Sequence, residues 1–256
     1  MREKNLTFTE HLAELRRALI ISALAILAGI VVGVIFSDYI DMALRWPIRG
    51  ILPKGSEEPI YFGLFEPIFY RLKLGFLGGV LLASPVVFWQ LWWFVSPGLY
   101  DHERRMALPF IISASIFFLG GAAFCYFIVL PNAAAFSVEQ MAEGTRIVLS
   151  LKSYLSNATM FILAFGLVFD TPVLVFLLCW IGIVSPATLG KWRKYVFLLA
   201  FVVAAVITPT PDAFNQTIMA LPIYILYELG LFAGRIVWRR KHSEEPASGD
   251  ESAPAG

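Results

Sequence analysis

Six apolar runs dominate this 256-residue sequence, and the only charged residues inside them are Asp170 and Glu228. The runs cover residues 18–37, 74–100, 106–138, 153–190, 195–206 and 213–234. About 20 apolar helical residues cross the roughly 30 Å hydrocarbon core of a bilayer. Lipid offers no hydrogen bonds to the backbone, so a spanning segment is a helix or part of a closed barrel, and the alternating segments of a barrel are missing. We therefore predict an all-α membrane protein with six transmembrane helices, of which the fifth is unusually short.

Composition supports this class. The chain is 58% hydrophobic and only 15% charged, whereas a soluble domain is about a quarter charged. The first run is too long for a signal peptide and no small-residue cleavage site follows it, so we predict that it is retained. A net charge of +1 offers no basic surface for nucleic acid, and we expect no nucleic-acid partner.

The connections between the runs predict orientation. Of the 20 Lys and Arg residues, 13 fall on the side that holds both termini. Positively charged connections stay in the cytoplasm, so both termini are predicted to be cytoplasmic. Nothing before residue 237 resembles a linker. We expect one membrane domain over residues 1–236 and a disordered polar cytoplasmic tail over residues 237–256.

Several polar residues allow two interpretations. In the N-terminal segment, Glu14 or Glu10 could simply pair with Arg17 along one helix, or provide a binding group. The first outer connection, with apolar residues at helical spacing over 40–51, either lies along the membrane interface or caps the helix ends. Glu228 lies near a helix end, where its side chain can reach water, whereas Asp170 lies well inside a span and is a functional candidate.

Motifs for catalysis and metal binding are missing. The sequence has no HExxH, GxSxG or Walker A pattern, so we expect no enzyme activity, no metal and no cofactor. Cys125 and Cys179 each lie alone in an apolar run and are predicted to be buried thiols. A secondary transporter of a small solute or ion, with Asp170 as its coupling acid, is the alternative function.

Five motifs in order carry a resemblance to a known family. They are HLAELRR at 11–17, SPGLYDHERR at 96–105, FDTPV at 169–173, SPATLGKWRKY at 185–195 and ITPTPDAFNQTIMALPIYILYELG at 207–230. Together they resemble the TatC family, the multi-span subunit of the twin-arginine protein translocase, over about residues 8–239.

That resemblance implies a receptor for twin-arginine signal peptides in the bacterial cytoplasmic (inner) membrane. The receptor would export folded proteins using the proton-motive force. TatA- or TatB-type single-span proteins are the implied partners, and self-association in a larger complex is also implied. The resemblance assigns signal-peptide contacts to Glu14 and Glu103. Arg16 and Phe94 are expected to belong to the same signal-peptide site, and Pro47 and Asp212 are further positions of functional weight. Asp170 stands where relatives often have Glu.

A physical reason connects two acids to two arginines. A guanidinium is a planar fork of donors that a carboxylate accepts in bidentate fashion, which a lysine ammonium cannot match. Adjacent residues of an extended peptide point to opposite sides, so two arginines need acceptors on two separate elements, which Glu14 and Glu103 supply.

The short fifth helix and the acid of the fourth run lead to two further predictions. The fifth and sixth helices are expected to form the partner-facing edge, with Gln216 and Thr217 hydrogen-bonding to a partner's span. For Asp170 we favour a water-filled concavity beside Pro172 over a buried structural hydrogen bond, and both remain open here.

Overall fold

The computed structural model describes residues 8–49, 51, 61, 63–96, 106–139, 150–207 and 213–243, and their regular structure is helical. The α-helices are α1 (Phe8–Ile35), α2 (Ser37–Arg45), α3 (Glu66–Val95), α4 (Ala107–Phe124), α5 (Leu130–Glu139), α6 (Leu151–Phe169), α7 (Thr171–Ile181), α8 (Pro186–Lys191), α9 (Arg193–Ile207) and α10 (Ala213–Ser243). A 3₁₀ turn, Trp46–Ile48, follows α2, and a π-helical turn, Cys125–Val129, joins α4 to α5.

Within these residues, five helical segments are long and apolar enough to cross a bilayer: Thr9–Ile35, Glu66–Val95, Ala107–Glu139, Lys152–Ile181 and Gln216–Arg239. They confirm an all-helical membrane protein. The predicted fifth span corresponds to α9, whose 15 residues extend about 22 Å at 1.5 Å per residue. Because α9 is shorter than the hydrocarbon core is thick, a count of six spans stays a prediction.

The fourth span ends earlier than predicted. The apolar run continues to Gly190, but α7 stops at Ile181 because Gly182 adopts φ +87°. In this left-handed cap the Ile183 amide donates to the Leu178 carbonyl at 3.1 Å, which closes the helix end. Ser185 then caps the short helix α8, accepting from the Thr188 amide at 3.2 Å.

Glycines let α1 and α3 pack backbone to backbone. A Cβ placed on Gly29 would lie 2.6 Å from the Gly79 carbonyl oxygen, and one on Gly33 would lie 2.6 Å from that of Gly75. Gly29 and Gly33 of α1 have the GxxxG spacing of close helix crossings in membranes, and so do Gly75 and Gly79 of α3. Since the earlier glycine of α1 meets the later one of α3, the two helices are antiparallel.

The C-terminal helices form a second packed unit. A Cβ on Gly230 of α10 would lie 2.7 Å from the Cα of Pro172, and one on Gly234 would lie 2.8 Å from Cys179 Sγ. Helices α7 and α10 therefore run in parallel. Helix α9 returns antiparallel to α10, and Gln216 joins the two by donating to the Phe201 carbonyl at 2.9 Å.

The core lies among α3, the α4–α5 segment, α6, α9 and α10, with Leu74, Leu155 and Phe165 almost fully buried. Cys125 belongs to this core, whereas Cys179 packs between α7 and α10. Both thiols are free and buried, which confirms the prediction for the two cysteines.

The first outer connection caps the helix ends. Leu44, Pro47 and Ile48 are buried, and two tyrosines hold the backbone before them. Tyr126 donates to the Ala43 carbonyl and Tyr154 donates to the Leu44 carbonyl, each at 2.6 Å. Of the two interpretations of this connection, the capping one agrees with the structure.

The predicted start of the polar tail falls inside a helix. Helix α10 continues through residues 237–243, so the boundary at residue 236 is placed too early. Arg239, Arg240 and Lys241 have good helix propensity, and their charges suit a helix C-terminus. Residues 244–256 lie outside the described part of the chain.

Candidate functional site

The first group of candidate residues begins in the first turns of α1. The His11 ring stacks on the Phe94 ring near the end of α3, with centroids 4.5 Å apart and planes 21° apart. Glu14 lies one turn further along α1, with Oε2 3.8 Å from His11 Nδ1. Because α1 and α3 are antiparallel, the start of one helix meets the end of the other. The structure thus brings Glu14 and Phe94 to one end of the molecule.

Glu14 carries an acceptor that the described residues do not use. Its side chain is 31% exposed, yet Oε2 itself is buried and has no hydrogen-bond partner among them. The 3.8 Å separation from His11 is too long for a hydrogen bond. Glu14 forms no ion pair with Arg17 in this described segment, so the simpler of the two interpretations of Glu14 does not apply. A buried carboxylate oxygen without a donor is costly unless a further group satisfies it.

The other predicted members of this end are only partly described. Arg16 is exposed on α1. Glu103 belongs to residues 97–105, which lie outside the described part of the chain. The described chain ends here with Ser96, the cap of α3, two residues beyond Phe94.

Asp170 occupies the junction of α6 and α7. Asp170 is 5% exposed, and neither Oδ1 nor Oδ2 has a hydrogen-bond partner among the described residues. The helix breaks here because Pro172 has no amide hydrogen, and Thr171 Oγ1 donates to the Val168 carbonyl at 2.5 Å. From the sequence we favoured a position for Asp170 in an open, water-filled concavity, and the buried position in the structure differs from that prediction. The alternative, a structural hydrogen bond, is also absent within the described residues.

The other intramembrane acid has a structural partner. Arg193 of α9 donates to Glu228 Oε2 of α10 at 2.6 Å, and the Tyr224 hydroxyl donates to Oε1 at 3.1 Å. Glu228 therefore ties the α9–α10 hairpin together. Glu228 lies in the middle of α10, so the expected position near a helix end is wrong, and its carboxylate is satisfied by Arg193 and Tyr224.

Gln216 and Thr217 lie on the predicted edge, and each already donates one hydrogen bond within the chain. Gln216 Nε2 donates to Phe201, and Thr217 Oγ1 donates to the Ala213 carbonyl at 2.6 Å. Thr217 is exposed, so its oxygen stays accessible as an acceptor. Pro47 is a buried part of the outer cap, and Asp212 lies outside the described residues.

Sequence reasoning missed a charged cluster between α2 and α3. Arg45 holds Asp41 in bidentate fashion, with N–O distances of 2.8 and 2.7 Å, and the Tyr70 hydroxyl donates to Asp41 Oδ1. Burial lowers the pKa of Arg45, but the hydrogen bond and the charge of Asp41 outweigh it, so the pKa is raised. The Asp41–Arg45 spacing of four residues in a helix was the available signal.

The chemistry that the Glu14 end offers comes from a carboxylate and two aromatic rings. The described residues contain no group of three or more His, Cys, Asp or Glu side chains placed to bind a metal ion. What the Glu14 end offers is a carboxylate acceptor beside an aromatic stack, which suits a cationic group with several donors.

Comparisons with known proteins agree with one another. Residues 10–222 match the family described as "Sec-independent protein translocase protein (TatC)". The chain is 40% identical to the Sec-independent protein translocase protein TatC of Escherichia coli (strain K12) over 236 residues, covering 92% of this chain and 91% of that protein. It is 37% identical to the protein of that name from Aquifex aeolicus (strain VF5) over 243 residues, with coverages of 93% and 99%.

A solved structure has the same fold. A crystal structure of the twin-arginine translocase receptor TatC in DDM superposes with a TM-score of 0.76 at 36% identity, covering 88% of this chain and 99% of the other.

Proposed function

The chain belongs to the TatC family of Sec-independent protein translocase proteins, and on that premise we propose that it is the receptor for twin-arginine signal peptides. It would act as the core subunit that moves folded proteins across the bacterial cytoplasmic membrane, driven by the proton-motive force. Family membership favours protein translocation over the solute transporter considered from the sequence.

One observation carries the receptor proposal: the Glu14 Oε2 is buried without a donor among the described residues. A signal-peptide guanidinium would satisfy that oxygen with a charge-assisted hydrogen bond. The second arginine would be read by Glu103 from the segment that follows α3. Phe94 and His11 would line the space between the two acids, Arg16 would belong to the same binding surface, and the Arg residues beside Glu103 would repel loosely basic peptides.

The remaining assignments follow from the same premise. Helix α9 would be the short fifth of six spans, which places both termini in the cytoplasm and residues 244–256 in a polar cytoplasmic tail. TatA- and TatB-type single-span proteins would be the membrane partners, and further copies of this chain would complete the complex. Pro47 and Asp212 would support the outer side of the assembly.

Binding of a twin-arginine precursor to Glu14→Gln tests the clamp. A charge-assisted hydrogen bond contributes about 1.5–3 kcal/mol, so the dissociation constant should rise by about one to two orders of magnitude. Glu103→Gln should have a similar effect. Glu139→Gln, an exposed acid at the opposite end, is the matched control and should bind as the wild type does.

Precursors with lysines in place of the arginines make the test specific. If Glu14 reads a guanidinium, lysine substitution should weaken binding to the wild type much more than binding to Glu14→Gln. Wild-type affinity in a folded Glu14→Gln/Glu103→Gln variant would refute the two-acid clamp.

A further inference from the structure

A cavity of about 620 Å³ lies at the outer end of the molecule, where α3 and α6 begin. Its lining includes Lys73 and Lys152 together with Phe65, Glu66, Phe69 and Tyr70. It is remote from the Glu14 end, because Glu66 and Lys152 open their spans whereas Phe94 lies at the end of one. None of the residues assigned to signal-peptide recognition or transport lines it.

The two lysines face this cavity from different helices. Lys73 is half-buried, and its Nζ donates to Ser156 Oγ at 2.6 Å. Ser156 lies one turn beyond Lys152 on the same face of α6. The hydrogen bond from Lys73 to Ser156 therefore holds the ammonium of α3 beside the face that carries Lys152.

Among the described residues, the positive charge that lines the cavity is not balanced. Glu66, the acid in the lining, accepts from the Gly63 amide at 3.2 Å. Neither Lys73 nor Lys152 forms an ion pair with a carboxylate of the described residues. The two cations and one acid of the described lining have a net positive charge, which suits an anionic ligand.

The rim of the cavity is apolar and exposed. Leu64 is 87% exposed, Phe65 is 65% exposed and Phe69 is 61% exposed. Aromatic side chains at the ends of membrane spans lie at headgroup level. Lysines there extend their ammonium groups toward the polar surface while their methylene chains stay on apolar ground. A ligand that fits must therefore combine an anionic head with apolar chains.

We propose that this cavity binds an anionic phospholipid of the leaflet opposite the termini. Lys73 and Lys152 hold the headgroup phosphate, and the acyl chains lie over Leu64, Phe65 and Phe69. A small soluble anion would leave that apolar rim uncovered. The bound lipid would link the beginnings of α3 and α6, two of the helices that contribute to the core.

Retention of lipid by the purified protein tests the site. The protein is incubated in neutral detergent with equal amounts of phosphatidylglycerol and phosphatidylcholine, repurified, and its bound lipid is quantified by mass spectrometry. The wild type should retain phosphatidylglycerol preferentially. A lysine near a membrane surface changes the affinity for anionic lipid about fivefold, so Lys73→Gln and Lys152→Gln should each lower retention by about that factor.

Arg71→Gln is the matched control. Arg71 is also a cation of the outer part of α3, but its side chain is 63% exposed and lies 3.4 Å from Asp38, away from the cavity lining. Its loss should leave retention unchanged. Lys152 is exposed, so Lys152→Gln should fold normally and decides the outcome even if Lys73→Gln does not.

Three results would overturn the proposal. They are equal retention of both lipids by the wild type, wild-type retention by Lys152→Gln, and displacement of the lipid by millimolar inorganic phosphate. The readout is lipid retention and not export, so it is independent of the receptor proposal.

Discussion

At the scale of single residues, the two unsatisfied acids present the same chemistry in different surroundings. Glu14 is partly exposed at the end of a helix, where an incoming cation can reach it. Asp170 is buried at a helix break inside a span. A charged carboxylate there is expensive without a partner, so Asp170 must be neutral at rest or be satisfied by water or another chain.

Asp170→Asn separates a role for charge from a role for shape. Asparagine keeps the size and hydrogen-bonding shape but cannot ionise. Since no donor of the described residues holds the carboxylate, the variant should fold as well as the wild type and bind precursor normally. If transport needs a proton or a charge at this position, export of a twin-arginine substrate should fall at least about tenfold, the effect of 1.4 kcal/mol.

The matched control for Asp170→Asn is Glu228→Gln, which also neutralises an intramembrane acid. Because Glu228 pairs with Arg193, this change should lower stability, measured as the midpoint of thermal unfolding, rather than export per folded molecule. Full export by Asp170→Asn would leave Asp170 with a structural role alone.

At the scale of helices, glycine contacts decide how closely the spans approach. The α1–α3 crossing depends on four glycines, and the α7–α10 contact depends on Gly230 and Gly234. Helix association in lipid has no hydrophobic driving force, so close van der Waals contact between backbones supplies the stability. The crossing brings the start of α1 to the end of α3, and thus Glu14 to Phe94.

Gly79→Ala tests this dependence. An added Cβ would lie 2.5 Å from the Ile30 amide nitrogen, which backbone atoms cannot avoid without moving the helices apart. Overpacking of this kind costs about 1–3 kcal/mol, which should appear as a lower midpoint of thermal unfolding. Precursor binding should weaken as well, since the crossing positions Glu14.

Gly120→Ala is the control for Gly79→Ala, because a Cβ at Gly120 meets nothing within 4 Å. Alanine is the better helix former by about 1 kcal/mol, so this variant should be as stable as the wild type or slightly more stable. Equal stability of Gly79→Ala and Gly120→Ala would contradict the role of the crossing.

At the scale of the whole molecule, the short helix α9 matters if it crosses the membrane as proposed. A helix of about 22 Å beside spans of full length would thin the bilayer or be covered by a partner. Leu198, Val202 and Val206 are exposed on α9, at 63%, 50% and 69%. They are spaced four residues apart, so they form one apolar stripe on the face that α10 leaves open.

Cysteine crosslinking can show whether this stripe meets a partner. Single cysteines in place of Leu198, Val202 and Val206 should crosslink to a TatA- or TatB-type helix. A cysteine in place of Thr217 on the neighbouring helix α10 should do the same. Ile116 of α4 is equally exposed, at 63%, and provides the control for random contact in lipid. Crosslinks that are as strong at Ile116 as on α9 would show that the α9–α10 edge is not the partner-facing one.

The sequence by itself determined the class of the protein and most of its helices. Lipid offers no hydrogen bonds to the backbone N–H and C=O groups of a long apolar run, so such a run forms a helix. The helical fold, the buried cysteines and the short α9 were therefore predictable. Five motifs in register were enough to indicate the family. The GxxxG spacings were also present in the sequence, but which glycines meet depends on helix pairing, which local patterns do not specify.

Only the tertiary structure decided which polar groups have partners. Asp170 and Glu228 are both acids in apolar runs, yet Glu228 meets Arg193 across the α9–α10 hairpin whereas Asp170 meets no donor of the described residues. Asp41, Arg45 and Tyr70 meet because α2 folds back onto α3, and Lys73 meets Ser156 from 83 positions away. Hydrogen bonds extend only about 3 Å, so each depends on how the helices are arranged in space, which spacing along the chain does not encode.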